Sequence, residues 1–154
     1  MKLFLDAETF DDLGGWTIDT QSYESYSFAY IIAHGIGKKV ADARHDIVIE
    51  KSSRYRAFVH TRNWSGVWKR GTAAGMFRLK LNNIPFGETL GTGSDLWHWQ
   101  YAGVMDISAG KHTVALEDLT GFDGRCDAVL LTDEADFVPP DDPSFAFPTR
   151  WSVP

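Results

Sequence analysis

The chain has 154 residues and a mass of 17.3 kDa, with 44% hydrophobic and 23% charged residues. These values are typical of one globular domain and exclude a disordered, collagenous or coiled-coil chain. The formal net charge of −6 excludes nucleic acid as a partner, because a phosphate-binding protein needs a basic face. The longest apolar stretch, residues 28–33, is too short to span a bilayer, so no membrane partner is expected.

Period-two alternation of apolar and polar residues predicts short strands along most of the chain. In residues 76–82, for example, Phe77, Leu79 and Leu81 are expected to face inward. Glycines recur every eight to twelve residues as turn signals, and no window of 11–18 residues has an apolar stripe of helical period. Strands are predicted at residues 3–5, 27–33, 46–49, 54–60, 76–82, 112–117 and 128–132, with a short helix as the alternative for 27–33. Residues 97–101 also alternate, and they are interpreted as one of three loops rich in aromatic residues.

The spacing of these strands predicts an all-β fold, an antiparallel β-sandwich of jelly-roll type over residues 1–135. Five of the six prolines fall within residues 136–154, which are expected to form a linker or an extended tail. The single cysteine, Cys126, excludes an internal disulfide and a cysteine-rich metal site. Residues 1–6 lack the apolar region of a signal peptide, so no targeting segment is expected in this chain.

Acidic residues stand at both ends of the predicted sandwich. Asp6 and Glu8 follow the first strand, and Asp127 opens the last one. Because the first and last strands of a sandwich are commonly neighbours, these carboxylates can converge on a calcium ion, which takes 6–8 oxygen ligands. Turn formation and solvated acids are the alternative.

Aromatic and polar residues are mixed in three loops. A sugar ring offers an apolar C–H face and a rim of hydroxyls, so it binds an exposed aromatic ring beside polar side chains. The alternative is that the tryptophans lie in the core, where at least three of the six are expected. The candidate ligand-binding residues are Arg62, Asn63, Trp64, Trp68, Trp97, Trp99, Phe122, Asp123 and Arg125.

Arg62 and Arg125 suggest a narrower class of ligand. A guanidinium binds a carboxylate through two parallel hydrogen bonds, so an acidic sugar such as a uronic acid is a candidate. The alternative for Arg125 is a structural ion pair with Asp123 or Asp127, which flank it.

Few features of the sequence indicate a catalytic centre. The five histidines are scattered without zinc-binding spacing, and no Gly-x-Ser-x-Gly nucleophile motif occurs. Cys126 beside Arg125 is either activated by that cation or, as we favour, a buried structural cysteine. His60 could form an acid–base pair with Asp118 or Asp123 only if their loops met. We therefore expect no enzyme, and a small polysaccharide-active enzyme is the least favoured alternative.

Several short motifs, taken in order over residues 3–133, resemble those of galactose-binding-like β-sandwiches, and most closely carbohydrate-binding modules of families six and thirty-five. The resemblance implies a structural calcium held by Glu8 and Asp127, with Asp6 in a position where those families have glutamate. The motifs are Asp6-Ala7-Glu8, Gly35-Ile36-Gly37, Tyr55-Arg56-Ala57-Phe58-Val59, Ala109-Gly110-Lys111-His112-Thr113-Val114 and Cys126-Asp127-Ala128-Val129-Leu130-Leu131.

Residues 118–128, with Trp97-His98-Trp99-Gln100, also resemble domains appended to bacterial flavin-dependent oxidoreductases. That likeness implies an interdomain linker in the proline-rich segment. No Gly-x-Gly-x-x-Gly motif for a dinucleotide follows a strand.

The sequence thus predicts a non-catalytic carbohydrate-binding module that targets an appended enzyme to a polysaccharide. Its expected partners are a polysaccharide or oligosaccharide and a linked catalytic domain, in a secreted or cell-envelope location of a bacterium. The alternative is an interdomain or protein-interaction module of an oxidoreductase, in which the aromatic loops are buried against the partner.

Overall fold

Ten β-strands and two short 3-10 helices form the part of the chain that the structure, a computed structural model, describes: residues 1–20 and 29–140. None of these residues forms an α-helix, and so none belongs to a helix that could cross a membrane. The elements are β1 (Lys2–Asp6), η1 (Ala7–Thr9), β2 (Thr17–Asp19), β3 (Tyr30–His34), β4 (Ala43–Ile49), β5 (Ser53–Thr61), η2 (Trp64–Val67), β6 (Phe77–Leu81), β7 (Ile84–Pro85), β8 (His98–Ile107), β9 (Gly110–Asp118) and β10 (Phe122–Thr132).

The strands form two antiparallel sheets that face each other. The larger sheet has the order β2-β3-β10-β5-β8, with β1 also paired to β10, and the smaller sheet has the order β4-β9-β6-β7. Strand β10 is long enough to pair with both β3 and β1, which occupy its first and second halves. The predicted all-β antiparallel sandwich is confirmed.

The main core lies between the two sheets. The apolar side chains of each alternating strand point into it. Phe77, Leu79 and Leu81 of β6 point inward as predicted, and all three are buried. From the larger sheet, Tyr55 and Val59 of β5 enter the same cluster. Burial of these apolar side chains is the main stabilising contribution to the fold.

Some strand boundaries differ from the sequence prediction. The loop expected at residues 97–101 is instead the start of strand β8, which extends to Ile107 because it pairs with β5 along its whole length. β2 and β7 are too short to show an alternation. Strand β3 begins at Tyr30 within the predicted segment 27–33, and residues 27 and 28 of that prediction lie outside the described residues.

A second apolar cluster lies on the outer face of the larger sheet. Phe137 packs against it, and the Arg56 guanidinium donates hydrogen bonds to the carbonyl oxygens of Glu134 and Phe137. The chain therefore continues along the sandwich beyond residue 135, and residues 141–154 of the predicted linker or tail lie outside the described residues. The cluster consists of Phe4, Phe58, Trp99, Ala128 and Leu130.

Glu117 of β9 is held by basic side chains on the outer side of the smaller sheet. Arg78 donates a hydrogen bond to it, and Lys80 and Lys39 lie 3.6 and 3.7 Å from its carboxylate. Burial raises the pKa of Glu117, but the hydrogen bond from Arg78 and the charges of Lys80, Arg78 and Lys39 outweigh it, so the pKa is lowered overall.

A pH-dependent contribution to stability follows from this lowered pKa. The unfolded chain takes up a proton at Glu117 near pH 4.3, before the folded chain does, so the stabilisation is complete above that pH and is lost as the pH falls through the folded-state pKa. We expect Glu117→Gln to reduce the difference between the urea midpoints at neutral and acidic pH. Glu88→Gln, at an exposed glutamate without an ion pair in the described part of the chain, is the control. Equal acid sensitivity of the Glu117 variant and the wild type would contradict this assignment.

Candidate functional site

Loops from both sheets meet at one end of the sandwich, which we call the loop end. Strands β3, β5 and β9 finish there, and β4, β6, β8 and β10 begin there. The connections at this end are residues 35–42, 62–76 and 119–121, together with the segment 86–97 that precedes β8. Loops on a rigid sheet scaffold are the usual place for ligand-binding residues.

Trp64 links the loop of residues 62–76 to the start of β10. Its indole Nε1–H donates a hydrogen bond of 2.9 Å to the carbonyl oxygen of Phe122. The ring lies over Gly75, where a β-carbon would come within 2.7 Å of the indole nitrogen. The Arg125 guanidinium lies 5.6 Å from the centre of the same ring. Trp64 is therefore only partly exposed, and it fixes the geometry of the site as well as contributing surface.

Large apolar side chains project into solvent around Trp64. Trp68 is 82% exposed at the end of η2, and Phe122 is 50% exposed at the start of β10. The Phe122 ring rests against Gly37, which brings the loop of Ile36 beside it. Leu96 lies on a neighbouring loop, since Asp95 contacts Gly66. Trp68 and Phe122, which we call the aromatic shelf, are thus both exposed at the loop end.

Asp123 and His34 form a polar pair next to the Phe122 ring. The Nδ1 of His34 lies 2.6 Å from Oδ1 of Asp123. Asp123 adopts a left-handed conformation with φ of 64°, at an irregularity in the pairing of β10 with β3. Such an irregularity leaves one residue of the strand unpaired and commonly changes the direction of the side chains beside it. Asp123 is one of the predicted ligand-binding residues, whereas its partner His34 is not.

Asp118 joins the loop of residues 35–42 to the loop of residues 119–121 through buried hydrogen bonds. One carboxylate oxygen accepts hydrogen bonds from the backbone N–H groups of Thr120 and Gly121, and the other accepts one from Val40, at distances of 2.9 to 3.1 Å. The side chain is fully buried. Asp118 was a candidate only for a catalytic acid, although an aspartate two positions before Thr-Gly is a sequence signal for an Asx turn.

Three other candidate residues are buried and carry structural contacts. Asn63 donates a hydrogen bond of 2.6 Å to the Thr72 carbonyl and accepts one from Ser65, so it organises the η2 loop. Trp97 and Trp99 are 8% and 9% exposed on the outer face of the larger sheet, where they flank His60. They share one face, as their alternation predicts, but they add little surface for a ligand.

Arg62 and Arg125 are half-buried at the loop end. Within residues 1–20 and 29–140 neither forms an ion pair, and the Nε of each is buried without a hydrogen-bond partner. The ion pair considered for Arg125 is absent, because Asp123 pairs with His34 and Asp127 pairs with His60 at 2.7 Å.

The calcium candidates lie where β1 meets β10. Asp6 is opposite Ala128 in the pairing, which brings it near Asp127, and Glu8 follows on η1. In the described part of the chain, no three His, Cys, Asp or Glu side chains are grouped as metal ligands would be. Calcium therefore stays a prediction.

The residues weighed for catalysis do not assemble into an acid–base centre. His60 pairs with Asp127 rather than with Asp118 or Asp123. Cys126 is fully buried, and burial together with the neighbouring Asp127 raises its pKa well above the usual range of a thiol. A thiol of this kind is unreactive, which excludes the activated alternative.

The two-sheet sandwich is similar in fold to solved carbohydrate-binding modules. It is similar to the family 35 module from Clostridium thermocellum, with a TM-score of 0.63 and 16% identity over 86% of this chain and 98% of that one. The C-terminal family 6 module of LamC from Zobellia galactanivorans is similar with a TM-score of 0.62 and 15% identity, over 86% of this chain and 99% of that one.

A β-1,4-mannanase from Podospora anserina that carries a family 35 module is also similar, with a TM-score of 0.64 and 19% identity. The match covers 90% of this chain and 29% of the mannanase chain. No protein-family model and no curated protein matches the chain. At these identities the comparisons confirm the resemblance to families six and thirty-five at the level of fold.

Proposed function

We propose that the protein is a non-catalytic carbohydrate-binding module whose ligand lies across the loop end. The observation that carries the proposal is the aromatic shelf of Trp68 and Phe122 beside the polar pair of His34 and Asp123. The C–H face of a sugar ring stacks on such a shelf, and its hydroxyls bind neighbouring polar groups. The similarity in fold to solved carbohydrate-binding modules supports this proposal.

The proposed role is to hold an attached enzyme near a polysaccharide. A weak module raises the effective concentration of its linked partner at the polymer without taking part in the reaction. The mannanase from Podospora anserina, in which a similar module accompanies a catalytic domain, supports a linked arrangement. A secreted or cell-envelope location in a bacterium would fit this role and is part of the proposal.

The proposal predicts that retention on a glycan depends on Trp68. Affinity gel electrophoresis against a panel of plant and bacterial polysaccharides should show retardation of the wild type by at least one of them. Because Trp68 is 82% exposed, Trp68→Ala should leave the melting temperature unchanged while it weakens binding about tenfold or more. Tyr101→Ala, at an exposed aromatic residue of β8 away from the loop end, is the matched control.

Three outcomes would contradict the proposal. The first is the absence of retardation by every glycan, which would favour burial of the aromatic shelf against a protein partner. The second is equal retardation of the Trp68 and Tyr101 variants, which would place the binding surface elsewhere. Release of soluble sugar by the isolated chain would contradict the non-catalytic role.

We further propose a structural calcium ion at the junction of β1 and β10, with Asp6, Glu8 and Asp127 as candidate ligands. The support is the pairing of Asp6 opposite Ala128, beside Asp127, and backbone carbonyls would complete the oxygen shell. We expect EDTA to lower the melting temperature and calcium, but not magnesium, to restore it. An unchanged melting temperature would remove these three residues from the ligand set.

A further inference from the structure

The loop that carries Trp68 has a pair of basic residues at its most exposed point. Lys69 and Arg70 lie within residues 67–71, which are five consecutive exposed residues and form the longest such run in the described part of the chain. A trypsin-type serine protease binds the basic side chain before the cleaved bond through a carboxylate in its specificity pocket. The pair therefore has the side-chain chemistry of a substrate for such a protease.

The peptide bond between Arg70 and Gly71 has none of the contacts that protect a backbone from cleavage. Among the residues that the structure describes, neither the Arg70 carbonyl nor the Gly71 N–H forms a hydrogen bond. Gly71 has a φ of 82°, and a β-carbon there would meet no atom within 4 Å, so open space surrounds the bond. A protease acts on locally opened chain, and exposed loop tips with few contacts open at the least cost in free energy.

The sequence contains one other pair of adjacent Lys or Arg residues, Lys38-Lys39, which the fold holds in place. The backbone of Lys38 packs on Gly121, where a β-carbon would come within 2.2 Å of the Lys38 carbonyl oxygen. The N–H that follows Lys39, that of Val40, donates a hydrogen bond of 2.9 Å to the buried carboxylate of Asp118. Of two chemically similar pairs, one is thus free and the other is fixed.

A cut after Arg70 does not divide the sandwich into separate halves. Residues before the cut form β1 to β5, and residues after it form β6 to β10. Strand β10 pairs with β1, β3 and β5, and β9 pairs with β4, so each sheet contains strands from both pieces. The ladder hydrogen bonds and the shared core therefore keep the two pieces together after cleavage.

The cut does release the segment that positions Trp68. Thr72 closes this loop, because its N–H and its hydroxyl donate hydrogen bonds of 3.2 and 2.7 Å to the Lys69 carbonyl. The Thr72 carbonyl in turn accepts one of 2.6 Å from Asn63. Cleavage between Lys69 and Thr72 removes the covalent link that keeps these groups together. Trp68 then lies two residues from a new chain end, and chain ends that are not tied down are poorly ordered.

We propose that the Arg70–Gly71 bond is a processing site for a trypsin-type serine protease, and that its hydrolysis detaches the module from its glycan. Water adds across the amide and gives a carboxylate at Arg70 and an ammonium group at Gly71, while the protease supplies the catalysis. The inference rests on the proposed function and assigns a regulation to the same site. One cut would release a linked enzyme from a polysaccharide without loss of the fold.

Limited digestion with trypsin tests the position of the cut. Mass spectrometry gives the rates of cleavage after Arg70 and after Lys39 in the folded protein. Each rate is divided by the rate in a synthetic peptide of the same residues, which removes the intrinsic preference of the protease. The bond after Arg70 should be protected at least about tenfold less than the bond after Lys39. Equal protection of the two bonds would overturn the inference.

Two double variants test the consequence for binding. Lys69→Gln with Arg70→Gln removes the site but leaves Trp68 in place, so glycan retardation should persist before and after digestion. Lys38→Gln with Lys39→Gln is the matched control. Digestion should weaken its glycan binding about tenfold or more, as it does for the wild type. Size-exclusion chromatography should show the digested wild type as one particle.

Full glycan affinity of the cleaved wild type would overturn the inference, and so would separation of the two pieces. The proposed function survives both results provided that Trp68→Ala still removes the retardation. If the intact protein binds no glycan, the proposed function and its regulation both fail, whereas the mapped cut still decides whether the bond after Arg70 is the processing site.

Discussion

Replacement of Asp118 by alanine is expected to lower the free energy of unfolding by about 3 to 5 kcal/mol. The substitution leaves three backbone N–H groups, those of Val40, Thr120 and Gly121, without the carboxylate that accepts their hydrogen bonds. A buried donor without a partner costs about 1 to 3 kcal/mol, and Asp118 is fully buried. For a chain of this length the melting temperature should fall by roughly 10 °C.

Replacement of Asp118 should also weaken glycan binding. Of the two loops that Asp118 joins, one contains Ile36 and the other leads into Phe122. Chemical denaturation measures the stability, and affinity electrophoresis below the melting temperature measures binding. Asp106→Ala, which removes an exposed aspartate paired with Arg54, is the control and should cost less than about 1 kcal/mol. If Asp118→Ala is no more destabilising than Asp106→Ala, the proposed joining of the loops is wrong.

Gly75→Ala is expected to damage both stability and glycan binding. A β-carbon there would lie 2.7 Å from the Trp64 indole nitrogen, 2.9 Å from the Gly124 backbone nitrogen and 3.0 Å from the Asp123 carbonyl carbon. Two of these neighbours are backbone atoms of β10, so the indole must move and its hydrogen bond to Phe122 is lost. Overpacking of this kind costs about 2 to 3 kcal/mol.

The same measurements on Gly71→Ala provide the control for Gly75. Gly71 lies in the same loop with a φ of 82°, and a β-carbon there meets no atom within 4 Å. Its replacement should cost only the backbone strain of a left-handed residue, about 1 kcal/mol, and leave binding intact. Equal effects at the two glycines would show that the space under Trp64 does not shape the site.

Alternation along the chain was sufficient to predict the inner face of the sandwich. In β6 the period of two places Phe77, Leu79 and Leu81 on the side that the smaller sheet turns inward. The pairing of distant strands does not follow from that pattern. The two partners of β10 on one edge, β3 and β1, follow instead from the length of β10.

The burial of Trp97 and Trp99 shows why it was harder to predict which aromatic residues are exposed to a ligand. Their common face was evident from the sequence, but period-two alternation does not tell whether the second face of a sheet is solvated or covered. Here the outer face of the larger sheet has its own cluster, onto which Phe137 packs from beyond the last strand. Trp68, by contrast, follows a loop of glycine and polar residues, which correctly indicated exposure.

The contacts that organise the site join residues far apart in sequence. His34 and Asp123 are separated by 89 positions, and Asp118 and Val40 by 78. A single sequence contains no signal for such distant pairs. The Asx-turn pattern after Asp118 indicates only its local contacts with Thr120 and Gly121. Loop composition could therefore identify Trp68, Phe122 and the two arginines as candidates, but not the polar contacts that position them.

Strands β1 and β10 run side by side with Lys2 opposite Thr132, at the pole of the sandwich remote from Trp68 and Phe122. A fusion partner joined ahead of Met1 would therefore be attached at that remote pole. A tag or an enzyme could be added there without obstructing access to the binding rim. Immobilisation on a sensor chip through the same pole would present every molecule with its loops toward the analyte.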